Sequence, residues 1–328
     1  MLGGYGRLGA AVVAELAETT HARCIVAGRS IQRAEELAAS FGERALGAYA
    51  DASDVRTLRS ILTGAALVVA CSGSESLAAL EVALELRVPY VSAHPLVLDR
   101  RTRSSIHERA WRAGIPAVIH AGALPGLPSV LCEWLVRRLP SIHTLRIAST
   151  GPWVGTETAR RDVARVRSER PLEYRERSWT RGRRLAVRVE LPEPIGPRSL
   201  RPARALDLDG FPEAHCVENL VYLEPDPGPL TRGLEWTLGL EPAGELGLVA
   251  EAHVDPPAGE PSLSIALFAP DAISLAAAGI GCVARAAQSR RLHAGLLTPR
   301  DALRPTQLLD ALEKRGAVIS TRTAAAGA

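Results

Sequence analysis

Between Gly4 and about Gly122, short continuous apolar runs alternate with stretches whose apolar residues recur at helical spacing. The runs are CIVAGR from Cys24, ALGAYAD from Ala45, ALVVACS from Ala66, VPYVSAH from Val88 and IPAVIHAG from Ile115, and each reads as a strand. The helical stretches are Arg7–Thr19, Ile31–Phe41, Asp54–Leu62, Ser76–Leu86 and Asp99–Ala113, with Ser30 placed to cap the second. Strands that are apolar throughout belong to parallel sheets covered on both faces. The pattern predicts an α/β fold, a doubly wound parallel sheet of the Rossmann type.

After Gly122 the pattern changes. LPGLPSVLCEWLVRRL reads as a helix behind a Pro-Gly turn and TLRIAST as a strand. Proline becomes frequent from Leu191 to Pro229, around strand-like LAVRVEL and HCVENLVYL, and LGLVAEAHV and SLSIALF follow. A helix from Ala272 to Ser289 and a closing helix and strand in PTQLLDALEKRGAVIST complete the chain. Strands and helices no longer alternate, so a mixed α+β domain is expected. The predicted division is residues 1–124 for the first domain and 125–299 for a substrate and dimerisation domain. There is no internal repeat.

The chain has 328 residues, 47% hydrophobic and 23% charged, which suits a soluble enzyme. A net charge of +3 gives no strong pull toward nucleic acid. Lys314 is the sole lysine, so arginine carries nearly all the positive charge. Cys24, Cys71, Cys132, Cys216 and Cys282 are far apart and form no CxxC pair. With no signal peptide, this reads as a reduced, cytoplasmic protein. The longest apolar stretch, Ile273–Ala287, is rich in Ala and Gly and contains Arg285, so a buried helix rather than a membrane span is expected.

The opening, MLGGYGRLG, carries Gly4-x-Gly6-x-x-Gly9 running into a helix. Gly4 suits a tight turn, Gly6 a close backbone approach to a pyrophosphate, and Gly9 close packing of helix on sheet. The helix N-terminus then offers N–H groups and positive dipole to phosphate. Such a motif follows a strand, yet only Met1–Gly3 precede it. A stub of that strand is expected there, with a natural reading frame that starts several residues earlier. NAD enzymes usually end the second strand on an acid that holds the ribose 2′-hydroxyl. Here AGRS places Arg29 and Ser30 at that point and Arg33 one turn on. A guanidinium suits a 2′-phosphate, which favours NADP over NAD. The alternative is that Arg29 stacks on adenine in an enzyme that uses either cofactor.

At this point the sequence resembles the saccharopine dehydrogenase-like (saccharopine reductase-like) oxidoreductases. The resemblance rests on LGGYGRLG, VAGRS before a helix, DASD, VVACSGS, VPYVSAH, AGIPAVIHAGALPGLPS and the late AGLLTPRDAL…LLDALEKRG, in order along nearly the whole chain. It implies a second, substrate domain, a segment from about 300 to 322 that packs back on the first domain, and hydride transfer between NAD(P) and an imine or amine carbon. It also implies cofactor roles for Gly4, Tyr5, Gly6, Arg7 and Leu8 at the phosphates and for Arg29 and Ser30 at the adenosine ribose. Asp51 and Ala52 are implied near the adenine, and Cys71, Ser72 and Gly73 beside the nicotinamide half. Saccharopine-forming members carry an acid in G-x-D-P-G, where this chain reads GALPG with Leu124, and another acid where this chain has His120.

Ligands of open α/β sheets bind beyond the carboxyl ends of the strands. His94 and His120 stand there, and an imidazole there is suited to donate a proton to a substrate nitrogen or oxygen. The other reading of each is a hydrogen-bonded loop histidine. Residues 159–184 hold ten arginines, but Asp162, Glu169, Glu173 and Glu176 offset them, so a solvated helix face is expected rather than an RNA surface. His215 with Cys216 has no second pair at ligand spacing, so no metal is expected. Two functions remain: an NADP-dependent oxidoreductase acting on a small imine, amine or carbonyl compound, or a degenerate member that binds nucleotide as a sensor or interaction subunit.

Overall fold

The computed structural model describes residues 1–73, 77–150, 161–162, 165–166, 172–182, 185–225, 245–255 and 260–324. The chain divides into two compact units, Met1–Gly126 with Ile273–Arg315 and Leu127–Ala272 with Gly316–Ala328. The first unit opens with Met1 and Leu2 lying between two strands. It continues through α1 (Arg7–Thr19), β1 (Cys24–Gly28), α2 (Ile31–Ala39), β2 (Ala45–Tyr49), α3 (Val55–Leu62), β3 (Val68–Ala70), α4 (Ala78–Leu86), β4 (Tyr90–Ser92), α5 (Arg100–Ala113) and β5 (Pro116–Val118). Ser30, Asp54 and Asp99 cap α2, α3 and α5 by accepting the backbone N–H of Arg33, Arg56 and Thr102 at 3.4, 2.9 and 2.7 Å.

The second unit contributes α6 (Leu127–Val136), β6 (Thr144–Ser149), β7 (Leu172–Arg175), β8 (Ser178–Arg181), β9 (Val187–Val189), β10 (Arg198–Ala203), α7 (Phe211–Ala214), β11 (Asn219–Pro225), β12 (Leu246–His253) and β13 (Leu263–Ala269). The chain returns to the first unit with α8 (Ala272–Gln288), β14 (Gly295–Leu297), α9 (Pro299–Ala302) and α10 (Pro305–Glu313), then ends in β15 (Val318–Thr323).

The first unit's sheet is parallel. β1 pairs with β2, and β3, β4, β5 and β14 form a ladder in the order β14-β5-β4-β3. Leu2 joins the two parts by bridging Ala27 and Ala70. Its N–H donates to the Val69 carbonyl at 2.9 Å, its carbonyl accepts from Cys71 at 2.8 Å, and the Met1 carbonyl accepts from Ala27 at 2.9 Å. The stub thus satisfies backbone groups that would otherwise face each other unpaired in the sheet centre. Ala70 and Ile119 face a core with Leu2, Leu80 and Ile106, while Val69, Val91 and Val118 face Val12, Ile280 and Val283. Burial on both faces is why these strands read as unbroken apolar runs.

The second unit's sheet is mixed, in the order β15-β13-β12-β6-β11-β10-β9. Its β6–β11 pair is parallel, and β15 pairs antiparallel with β13. Two expectations differ from the structure. The returning segment begins at α8 rather than near residue 300, and its last strand leaves for the other unit's sheet. The reason is the apolar side of α8: Ala277, Ile280, Val283, Ala284 and Ala287 complete a face of the first unit's core. Glu15 of α1 adds an ionic clamp, meeting Arg285 at 3.2 Å and Arg315 at 2.7 Å. The second difference lies in the arginine-rich run, where residues 172–181 form the β7–β8 hairpin and not a helix face. Glu176 and Arg177 turn it with φ of 48° and 62°, and Glu173 and Tyr174 are both buried. Residues 161–162 and 165–166 are helical, and the rest of that run lies outside the described residues. The stretch Ile273–Ala287 lies in α8, and no helix among the described residues is long and apolar enough to cross a membrane.

Candidate nucleotide-binding site

The loop between Leu2 and α1 is shaped by glycines that leave no room for a side chain. A Cβ on Gly9 would lie 2.2 Å from the Gly3 carbonyl oxygen, and one on Gly4 would lie 2.9 Å from Val26 Cγ1. Gly3 itself has φ +69°, and a Cβ there would stand 2.7 Å from the Ser72 nitrogen. Gly3 was not singled out in the sequence, where only the doubled glycine of LGGYG signals it. The Gly6 N–H donates to the Gly3 carbonyl at 3.0 Å and closes the turn. Gly6 is the N-cap of α1, so no side chain covers the helix end, and no acid occupies its first turn. That end carries the positive half of the helix dipole and fits a pyrophosphate. Arg7 is exposed in this first turn, and the half-buried Leu8 packs on the core beneath.

Tyr5 points from this loop to the carboxyl end of β1. Its ring fills the space over Gly28, where a Cβ would come within 2.4 Å of the ring. Its hydroxyl accepts the Ser30 N–H at 3.0 Å, and the Arg33 guanidinium lies over the ring, 4.8 Å from its centre. Arg29 is exposed at the same strand end. Its charge helps hold the Asp51 carboxyl below the usual carboxylate range, although the larger cause is the Ser53 N–H and hydroxyl, at 2.9 and 2.7 Å. Ala52 follows, half-buried, in the loop that leads to α3.

Cys71, Ser72 and Gly73 follow β3, with Cys71 and Ser72 against Gly3. Burial pushes the Cys71 thiol up to about 12, so it stays neutral and is no nucleophile near pH 7. The structure therefore brings the Gly3–Gly6 loop to Cys71 and Ser72, and Tyr5 to Ser30 and Arg33. The two histidines stand beyond the neighbouring strands β4 and β5. His94 is buried, and its N–H donates to the Ser92 hydroxyl at 3.2 Å. His120 is buried with a left-handed φ of 58°, and its Nε2 donates to the Leu96 carbonyl at 3.0 Å. In the second unit His215 meets Glu133 at 3.1 Å.

The glycine-made cradle, the uncapped α1 and the pair of arginines at β1 fit a phosphorylated dinucleotide. Residues 1–118 match the family model described as the saccharopine dehydrogenase NADP binding domain. No curated protein sequence matches the chain significantly. Among solved structures, apo saccharopine dehydrogenase (L-Glu forming) from Saccharomyces cerevisiae aligns over 99% of both chains at 13% identity with a TM-score of 0.73. An oxidoreductase from Agrobacterium radiobacter, in complex with NAD+, L-tartaric acid and magnesium, aligns over 97% of this chain and 96% of its own at 13% identity and TM-score 0.49. DAP dehydrogenase of C. glutamicum, in complex with DAP, aligns over 91% of this chain and 100% of its own at 14% identity and TM-score 0.47. The last two are too distant to bear on the chemistry, and the first shares the fold. The head of the chain thus matches an NADP-binding domain, and the chain as a whole shares the fold of the yeast saccharopine dehydrogenase.

Proposed function

We propose that the chain transfers hydride between NADP and a small substrate bearing an imine, amine or carbonyl carbon. The observation that carries this reading is the carboxyl end of β1, where Arg29 and Arg33 stand and the strand ends without an acid. NADP, when bound, supplies or takes the hydride. The chain's own residues cradle the phosphates on the Gly3–Gly6 turn and manage the proton.

When hydride reaches an imine or carbonyl carbon, its nitrogen or oxygen takes up a proton. His120 is our first candidate for that proton and His94 the second. A carbonyl can only accept, so the Leu96 bond keeps the proton on Nε2 of His120 and fixes the ring. Nδ1 is then the nitrogen that exchanges a proton with substrate. Leu124 stands where saccharopine-forming members carry an acid, so saccharopine formation itself is not part of the proposal. A homodimer through the second unit and a cytoplasmic location complete it, the dimer being testable by light scattering across a concentration series.

The test is a panel of imines, amines and carbonyl compounds, followed at the nicotinamide absorbance. Turnover of one compound, reduced at least about 100-fold in His120→Gln with NADPH affinity held, supports the assignment. Full activity in both His120→Gln and His94→Gln removes the histidines from it. Tight NADPH binding without turnover on any compound favours the nucleotide-binding sensor instead.

A further inference from the structure

The sequence directs attention to Arg29 as the partner of the cofactor's 2′-phosphate. The structure adds a residue that the glycine motif treats as a bystander. Tyr5 occupies the first variable position of that motif, yet its side chain leaves the phosphate loop and reaches the end of β1. Three observations fix it there. Gly28 has no side chain, and any Cβ would collide with the Tyr5 ring at 2.4 Å. The Tyr5 hydroxyl accepts the backbone N–H of Ser30 at 3.0 Å. The Arg33 guanidinium rests on the ring face, 4.8 Å from its centre, while its own backbone N–H is anchored to the Ser30 hydroxyl at 3.4 Å.

The groups gathered at this strand end are donors. Having accepted from Ser30, the Tyr5 hydroxyl still has its proton to give, and no acceptor for it stands among the described residues. The Arg29 and Arg33 guanidiniums make no hydrogen bond or ion pair among the described residues; Asp51 feels Arg29 only through space while its Oδ1 accepts from Ser53. Two cations and a hydroxyl proton match a phosphate monoester, which carries close to two negative charges above its second pKa of about 6. A ribose 2′-hydroxyl has no charge to answer either guanidinium. An arginine on an aromatic face keeps its N–H edge free to fork onto phosphate oxygens, which a lysine cannot do.

We propose that Arg33, seated on the Tyr5 ring, is a second cationic arm for the 2′-phosphate of NADP, and that Tyr5 is the positioning residue that makes the site selective for it. The proposal rests on the NADP reading of the cofactor. It assigns Tyr5 three tasks: platform for Arg33, acceptor that holds the α2 N-terminus in register, and donor to one phosphate oxygen.

The test is calorimetric titration of the full chain with 2′,5′-ADP and with 5′-AMP, which differ by the 2′-phosphate alone. The unmodified protein is expected to bind 2′,5′-ADP at least about tenfold more tightly. Arg33→Ala should weaken 2′,5′-ADP about tenfold and leave 5′-AMP within about twofold. Tyr5→Leu should weaken it at least as much, and the double variant should lose less than the sum of the two single losses, because both remove the Arg33 arm. Tyr5→Phe keeps the platform and loses the hydroxyl, so its 2′,5′-ADP affinity should fall between those of Tyr5→Leu and the unmodified protein. Unchanged 2′,5′-ADP affinity in Arg33→Ala, or equal losses of both nucleotides in Tyr5→Leu, overturns the proposal while the NADP reading stands. If the unmodified protein does not distinguish the two nucleotides, the NADP reading fails and the proposal with it.

Discussion

Replacing Gly9 with Ala tests whether the α1 loop is built by close backbone approach. The added Cβ would sit 2.2 Å from the Gly3 oxygen, 2.8 Å from Gly4 Cα and 2.9 Å from the Gly4 oxygen, all of them backbone atoms. Ordinary contact begins near 3.4 Å, so the Gly3 carbonyl must retreat by about 1 Å. It has little room to do so, since its oxygen holds the Gly6 N–H at 3.0 Å and its Cα abuts Ser72. Losing that hydrogen bond costs about 1 kcal/mol and forced overpacking about 1–3 kcal/mol more. The melting temperature should fall by roughly 5–10 °C on that basis. NADPH affinity should fall more than tenfold, because the displaced turn is the one proposed to cradle the pyrophosphate. Gly64→Ala is the matched control: φ is +79° there, but nothing lies within 4 Å of the added carbon. It should cost about 1–2 kcal/mol through backbone strain alone and leave NADPH binding intact. Thermal melts and fluorescence titration of both variants settle the matter. A Gly9→Ala protein that melts and binds like the unmodified chain would refute the close-packing account.

Three further outcomes are expected. Arg29→Ala should weaken NADPH about tenfold or more and NADH little, as read by fluorescence titration; equal affinities in the unmodified protein would contradict it. Leu2→Ala, at a fully buried bridge between Ala27 and Ala70, should destabilise by about 2–5 kcal/mol in urea unfolding. Glu133 is held below its ordinary range first by His215, at 3.1 Å, and then by Arg137, at 2.7 Å, against an opposing effect of burial. A carboxyl depressed in the folded state stabilises above its unfolded pKa and loses that contribution as pH falls through the folded one. Glu133→Gln should therefore melt lower near neutrality and lose less on acidification below about pH 4.

The first unit was legible because its signals are local. Val68–Ala70 and Pro116–Val118 are apolar on both faces, and Ser30 caps α2 as its position before the helix suggested. The Met1–Leu2 stub was legible too, since the glycine motif implies a strand before it. Pairing across long stretches of chain was not, so neither β14 beside β5 nor β15 beside β13 could be read from pattern. The β7–β8 hairpin was hidden for another reason. Its turn uses Glu176 and Arg177 at positive φ, where Asn or Gly would have announced it, and its buried Glu173 imitates a surface residue. At the site, the glycine pattern pointed to the turn. The reach of Tyr5 over Gly28 is a tertiary contact that no local pattern encodes.

The exchange of segments between the two units has a consequence for the chain as it is made. The ribosome releases Met1–Gly126 first, but the core of that unit lacks Ile280, Val283 and Ala284 until α8 follows. At about 5–20 residues per second, the intervening residues take roughly 7–30 s to synthesise. During that interval the face formed by Val12, Val69, Val91 and Val118 has no helix over it, and the edge of β5 has no β14 beside it. The second unit waits as well, because β13 gains its outer neighbour only once β15 is made. Neither unit can close early, so the nascent chain carries an open sheet edge and an uncovered apolar face until α8, β14 and β15 are made. Its yield in a cell should depend on what shields those surfaces until α8 and β15 emerge.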